Sequence, residues 1–127
     1  MGRRGSFGDS FRFASAGVLD ALRTQPNMRF HFFIAGGVLV FALFLGLKAG
    51  DFVLIFFAVG LVLVAEMFNT AVEATVDLFG PGYHRLAKTA KDAAAGAVLL
   101  AAINSVIVGS LVFYPYLVAL GKRLLGG

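Results

Sequence analysis

Three apolar stretches, each near the length that crosses a bilayer, leave this chain few ways to fold. They run over 29–47, 52–79 and 92–116. A helix needs about 20 residues to cross a hydrocarbon core of about 30 Å at 1.5 Å per residue. With 59% hydrophobic and 14% charged residues, a chain this short has no means of hiding its apolar surface in a water-soluble core. The expectation is one all-α integral membrane domain over 1–127.

Ahead of the first span, residues 10–24 follow helical spacing. Phe11, Ala14, Val18 and Leu22 share one side, and Arg12, Asp20 and Arg23 lie on another. That pattern predicts an amphipathic helix lying in the membrane interface, with Ser10 as its cap and Pro26 as its interruption. Lys48, Gly50 and Asp51 make a tight turn between the first two spans, Gly80-Pro81-Gly82 breaks the chain after the second, and Pro115 falls near the end of the third. The first long apolar run starts near Phe30 with no small-residue cleavage pattern behind it, so no cleavable signal is expected. The absence of cysteine excludes disulfides and thiolate metal sites.

The net charge of +4 is distributed for a membrane rather than for nucleic acid. With three spans, the amino-terminal segment and the 80–91 loop share a side. That side carries Arg3, Arg4, Arg12, Arg23, Arg29, Arg85, Lys88 and Lys91, against Lys48, Lys122 and Arg123 on the other. Eight against three of the 11 basic residues places the amino terminus in the cytoplasm and the carboxy terminus outside.

The second span ends unusually, in AEMFNTAVEATVD (65–77). At about 100° per residue, Glu66, Asn69, Glu73 and Asp77 fall within roughly an 80° arc, forming one stripe. A carboxylate at the centre of a membrane helix costs about 2.5–3.5 kcal/mol on insertion scales. Residues 52–79 as one helix would reach about 40 Å, so Glu66 is expected near the cytoplasmic boundary with Glu73 and Asp77 beyond it. Snorkelling charges at a helix end are the plainer reading. A continuous Glu–Asn–Glu–Asp stripe offers more: several hard oxygen donors and a possible base.

Beyond the break, Lys88 and Asp92 are four apart, with Lys91 beside them where the third span begins. A lysine there is ordinarily a positive-inside anchor. Opposite a carboxylate stripe it becomes a phosphate contact. Together these residues suggest metal–phosphate chemistry at the membrane surface, with carboxylates holding Mg²⁺, lysine neutralising phosphate and one carboxylate acting as base. No Walker or kinase glycine motif is present. A small transporter would need only one central carboxylate, and a CDP-alcohol transferase would need several aspartates on one helix.

AEMFNTAVEATVDL followed by AKTAKDAAAGAVLL resembles the small prokaryotic integral-membrane lipid kinases, the diacylglycerol and undecaprenol kinase family. SFRFASAGVLDALRTQPNMRFHF also resembles that family, particularly its undecaprenol branch, and the likeness spans about residues 10–116. It implies a homotrimer in the bacterial plasma membrane that transfers the ATP γ-phosphoryl group to a lipid hydroxyl. It further implies Glu66 as general base, Glu73 as Mg²⁺ ligand, and Asn69 and Asp77 as supports. Lys91 would contact phosphate, and Asp92, Tyr83 and His84 would help hold nucleotide. Tyr83 and His84 also read as interfacial aromatic residues. Phe13 stands where the family often has a tyrosine near the nucleotide. Gln25 stands where it often has a second metal-binding glutamate; its amide oxygen keeps a donor but loses the charge. Gln25 also motivates the alternative of a member that binds nucleotide without turnover. Ala95 replaces a polar residue of some diacylglycerol-specific members and favours undecaprenol. The many Phe residues of the first two spans read mostly as lipid-facing or packing groups, some lining a groove for the lipid tail.

Overall fold

Four helices follow one another in the computed structural model, which describes residues 5–82 and 84–126. They are α1 (Phe7–Thr24), α2 (Pro26–Leu45), α3 (Ala49–Asp77) and α4 (Arg85–Leu125), with no strand among the described residues. The last three are long and apolar enough to cross a membrane. The chain is therefore an all-α membrane protein.

The helix ends show what local chemistry adds to hydropathy. α1 is capped by Ser6, not Ser10. The Ser6 hydroxyl accepts from the Asp9 N–H at 3.2 Å, and the Asp9 carboxylate accepts from the Ser6 N–H at 3.3 Å. This reciprocal pair satisfies two otherwise orphaned donors and starts the helix earlier, leaving Ser10 as an interior residue whose N–H bonds the Ser6 carbonyl. Gln25 is extended (φ −112°, ψ 107°), because the residue before a proline disfavours the helical region. Pro26 then occupies the first turn of α2, where its missing N–H costs nothing. α2 thus begins three residues before the expected span. Arg29 ties the joint together, its guanidinium donating to the Leu22 and Arg23 carbonyls at 3.0 and 2.8 Å. A cation there also complements the carboxyl end of the α1 dipole.

At the opposite end, Gly46 adopts φ 69°. The Leu47 N–H reaches the Ala42 carbonyl and the Gly46 N–H the Leu43 carbonyl, a left-handed helix stop that favours glycine. Tyr116 braces this turn. Its hydroxyl accepts from the Lys48 N–H at 3.1 Å and donates to Asp51 at 2.7 Å. Pro115 therefore does not mark the end of α4, which continues to Leu125. At 41 residues the helix is about 60 Å long and must extend beyond the hydrocarbon core.

The interior is built from small residues. On α2 the buried positions are Met28, Ala35 and Ala42, seven apart, and on α3 they include Ile55, Val59, Val62 and Glu66. α3 is the central element, packed on α4 and on α2, with α1 resting against α2 and touching α3. Lipid tails are as apolar as leucine, so helices associate in a membrane through close packing, which small side chains permit. Most Phe side chains face outward as expected, Phe33 and Phe57 at 80% and 73% exposure.

Candidate active site

Glu66 occupies the next position of the inward row of α3, where the preceding members are Ile55, Val59 and Val62. It is the buried charged residue of the structure, 5% exposed among the described residues. A carboxylate so placed requires a partner, and α2 supplies one: His31 Nε2 lies 3.1 Å from Glu66 Oε1. His31 is the site residue absent from the sequence analysis. The signal was there, since it is the only ionisable side chain between Arg29 and Lys48. An ionisable group inside a span is functional or paired by default.

The rest of the stripe divides by partner. Asn69 Nδ2 donates to Glu73 Oε1 at 3.1 Å along the helix. A carboxylate only accepts, so the amide nitrogen must face it. Asn69 Oδ1 is then turned the other way, buried and without a hydrogen-bond partner among the described residues. Asp77, farthest along, reaches α4, where Lys91 Nζ donates to Oδ1 at 2.8 Å. Lys88 and Asp92 pair one turn apart on α4. Lys91 lies just ahead of the uncharged 93–121 segment. Its pKa is raised, first by the hydrogen bond to Asp77, then by the charge of Asp77 and more weakly of Glu73, against a small opposing effect of burial. The ammonium therefore stays charged through the physiological range.

Two cavities adjoin this row. A cleft of about 1080 Å³ opens between the end of α3, the Gly80–Gly82 turn and the first turns of α4; Asp77, His84, Lys88, Lys91 and Asp92 line it. It is at the large end of the range for cofactor sites, about 300–1,000 Å³. A smaller groove of about 230 Å³ runs between α2, α3 and α4, walled by Ile34, Val59, Val62, Ala102 and Val106, with Ser105 and His31 as its polar groups. The polar row of α3 thus lies between the two: His31, beside Glu66, lines the apolar groove, and Asp77 lines the charged cleft.

The expected residues are not all brought together. Glu66 faces His31 of α2, Asn69 and Glu73 pair along α3, and Asp77 and Lys91 join α3 to α4 close to Asp92. His84 lines the cleft, and its Nδ1 accepts from the Leu86 N–H at 3.1 Å, capping α4. Tyr83 lies outside the described residues. Phe13 is 65% exposed on α1 beneath the Arg12 guanidinium, 5.3 Å from the ring centroid, and lines neither cavity. Gln25 sits at the α1–α2 joint and makes no side-chain hydrogen bond among the described residues. No group of three or more His, Asp or Glu side chains there is disposed to hold a metal. The oxygens at hand are the second carboxylate oxygen of Glu73 and the orphaned Asn69 Oδ1, both hard donors of the kind Mg²⁺ takes. Mg²⁺ commonly binds through one or two carboxylates together with substrate phosphates and water, and the Glu73 oxygen not bonded to Asn69 fits as one such ligand.

Residues 12–113 match the family model for prokaryotic diacylglycerol kinase. A diacylglycerol kinase of Synechocystis sp. is 49% identical over 112 residues, 87% of this chain and 64% of that protein. An undecaprenol kinase of Bacillus subtilis is 42% identical over 111 residues, 87% of this chain and 90% of its own length. The Escherichia coli diacylglycerol kinase is 39% identical over 77 residues, 61% and 63% of the two chains. This chain thus spans just under two thirds of the Synechocystis relative and nearly all of the Bacillus one. With its three spans and with most of its length matched, the chain belongs to the prokaryotic diacylglycerol kinase family, a family of lipid kinases.

Proposed function

We propose that this protein transfers the γ-phosphoryl group of ATP to the hydroxyl of a lipid alcohol at the cytoplasmic face of a bacterial plasma membrane. Undecaprenol is the favoured acceptor and diacylglycerol the alternative. The observation that carries this reading is the succession of apolar groove, buried carboxylate and charged cleft along α3, with His31 of the groove wall set against Glu66. A lipid hydroxyl and a water-soluble nucleotide meet only at such a boundary. The groove favours undecaprenol because its hydrogen-bonding groups are limited to Ser105 and His31. A prenyl chain asks for none, whereas the ester carbonyls of diacylglycerol would lose hydration there without replacement.

In this mechanism the acceptor hydroxyl lies against Glu66. As its oxygen attacks the γ-phosphorus, the proton passes to the Glu66 carboxylate, the new P–O bond forms, and the bond to the β-phosphate oxygen breaks to release ADP. Lys91 and Lys88 hold phosphate oxygens in the cleft. Both are now paired with Asp77 and Asp92 in exposed ion pairs, and such pairs contribute only about 0–1 kcal/mol. Exchange of carboxylate for phosphate therefore costs little. Glu73, with Asn69 and Gln25 as neutral oxygen donors, would hold Mg²⁺, which when bound neutralises charge on the phosphates. Asn69 orients Glu73 through their hydrogen bond. A homotrimer completes the site, since three helices of one chain leave both cavities open. The amino-terminal segment and the 80–91 loop, which together carry eight of the 11 Lys and Arg residues, face the cytoplasm.

Purified protein in mixed micelles with radiolabelled ATP, offered undecaprenol and diacylglycerol side by side, tests this reading. Label in undecaprenol at the faster rate is expected. Faster labelling of diacylglycerol would reverse the acceptor assignment. Label in neither, from folded protein with abundant Mg²⁺, would favour a member that binds nucleotide without turnover.

A further inference from the structure

His31 stands at the meeting point of the two features on which the proposed mechanism rests. Its Nε2 is 3.1 Å from Glu66 Oε1, with side-chain exposures of 22% and 7%. Its ring also forms part of the wall of the apolar groove. Because a carboxylate accepts and cannot donate, Nε2 carries the hydrogen in this contact.

Little else can orient Glu66. On α2, Arg29 is turned away, its guanidinium engaged by the Leu22 and Arg23 carbonyls. On α3, Asn69 spends its amide on Glu73, and the Thr70 hydroxyl makes no hydrogen bond to Glu66. On α4, the wall facing His31 is Ala102, Ser105 and Val106, with no titratable group. The Phe30 ring meets the imidazole edge-on at 5.6 Å and 72°, which limits the ring's freedom. His31 is thus the one side chain in a polar pair with the Glu66 carboxylate among the described residues.

We infer that His31 is a positioning residue for Glu66: by donating Nε2–H to Oε1 it fixes the carboxylate and leaves Oε2 for the hydroxyl of a lipid alcohol entering along the groove. This rests on the kinase reading above. A carboxylate free to rotate in its pocket would present its basic lone pair in the wrong direction much of the time. Misplacement by about 1 Å can cost on the order of a hundredfold in rate. The ordinary role for such a histidine is to satisfy a buried carboxylate for the sake of the fold, and the test separates the two.

His31→Gln and His31→Asn are both neutral, polar and smaller than histidine. The glutamine amide nitrogen reaches about as far as Nε2; the asparagine amide stops near Nδ1. We expect His31→Asn to lower kcat by about a hundredfold with KM for ATP unchanged, and His31→Gln to restore the rate to within about tenfold of wild type. Melting temperatures in detergent should be similar for the two variants. Wild-type rates from His31→Asn would overturn the inference while leaving the kinase reading intact. So would equal losses in both variants accompanied by equal falls in melting temperature, the mark of a purely structural contact. A wild-type chain that labels no lipid would overturn the kinase reading and this assignment together.

Discussion

Replacing Glu66 by glutamine separates chemistry from folding at the one buried carboxylate. The amide keeps an oxygen where Oε1 now lies 3.1 Å from His31 Nε2, and its volume is nearly that of the acid. What it loses is the ability to take a proton and the charge itself. Positioned acid–base groups contribute about 10²–10⁴ in rate, which at 1.36 kcal/mol per decade is about 2.7–5.4 kcal/mol of transition-state stabilisation. The folding term has the opposite sign or none. Taking the charge out of a site 5% exposed removes a desolvation penalty, and the amide oxygen still offers the neutral imidazole of His31 an acceptor. The expected outcome is a rate at least a hundredfold below wild type with a melting temperature in detergent equal to or above it. Initial rates with radiolabelled ATP and undecaprenol in mixed micelles, beside a thermal melt of the same preparation, measure both. Turnover within tenfold of wild type would refute Glu66 as the base. Loss of rate with loss of folded protein would refute the claim that the amide replaces the carboxylate in the core.

Three further outcomes are expected from other parts of the molecule. Gln25→Glu should lower the Mg²⁺ concentration for half-maximal rate, by restoring a charged oxygen donor at the α1–α2 joint; an unchanged Mg²⁺ dependence would show that this position does not reach the metal. Ser105→Phe should fill the groove between α2, α3 and α4 and raise KM for the lipid more than tenfold while leaving KM for ATP unchanged; an unaltered lipid KM would remove the groove from the acceptor path. Ala42→Leu, at a position 0% exposed on the α2–α3 interface, should destabilise by about 1–3 kcal/mol through overpacking, read as a lower melting temperature or denaturant midpoint in detergent.

The legible parts of the fold were those governed by short-range chemistry or by length. Pro26 and Gly80-Pro81-Gly82 interrupt the helices near where the residues predict. The turn expected at Lys48, Gly50 and Asp51 lies at 46–48 instead, because Gly46 takes the left-handed stop and Gly50 and Asp51 fall in the first turn of α3. The errors were local competitions. Ser6 outcompeted Ser10 as a cap because Asp9 reciprocates its bond. Pro115 did not end α4, since a proline removes one helix donor while Tyr116 beside it is anchored across the bundle to Lys48 and Asp51. In the candidate site, the stripe from Glu66 to Asp77 was visible because helical periodicity alone aligns it. Lys91 opposite Asp77 was foreseeable in outline, because the break between α3 and α4 is short and brings their ends together.

Sequence by itself determined that the chain has three helices long and apolar enough to span a membrane and that the carboxylates of the second share one face; both follow from composition and the period of the helix. Only the tertiary structure decided which way each helix faces. Lipid and protein interior are about equally apolar, so hydropathy carries no signal for the inward side of a membrane helix. The register of α2 against α3, set by Met28, Ala35 and Ala42 on one helix and Ile55, Val59 and Val62 on the other, carries Glu66 into the core and sets His31 beside it. No spacing in the chain states that contact, because its partners are 35 residues apart and meet only when two helices pack.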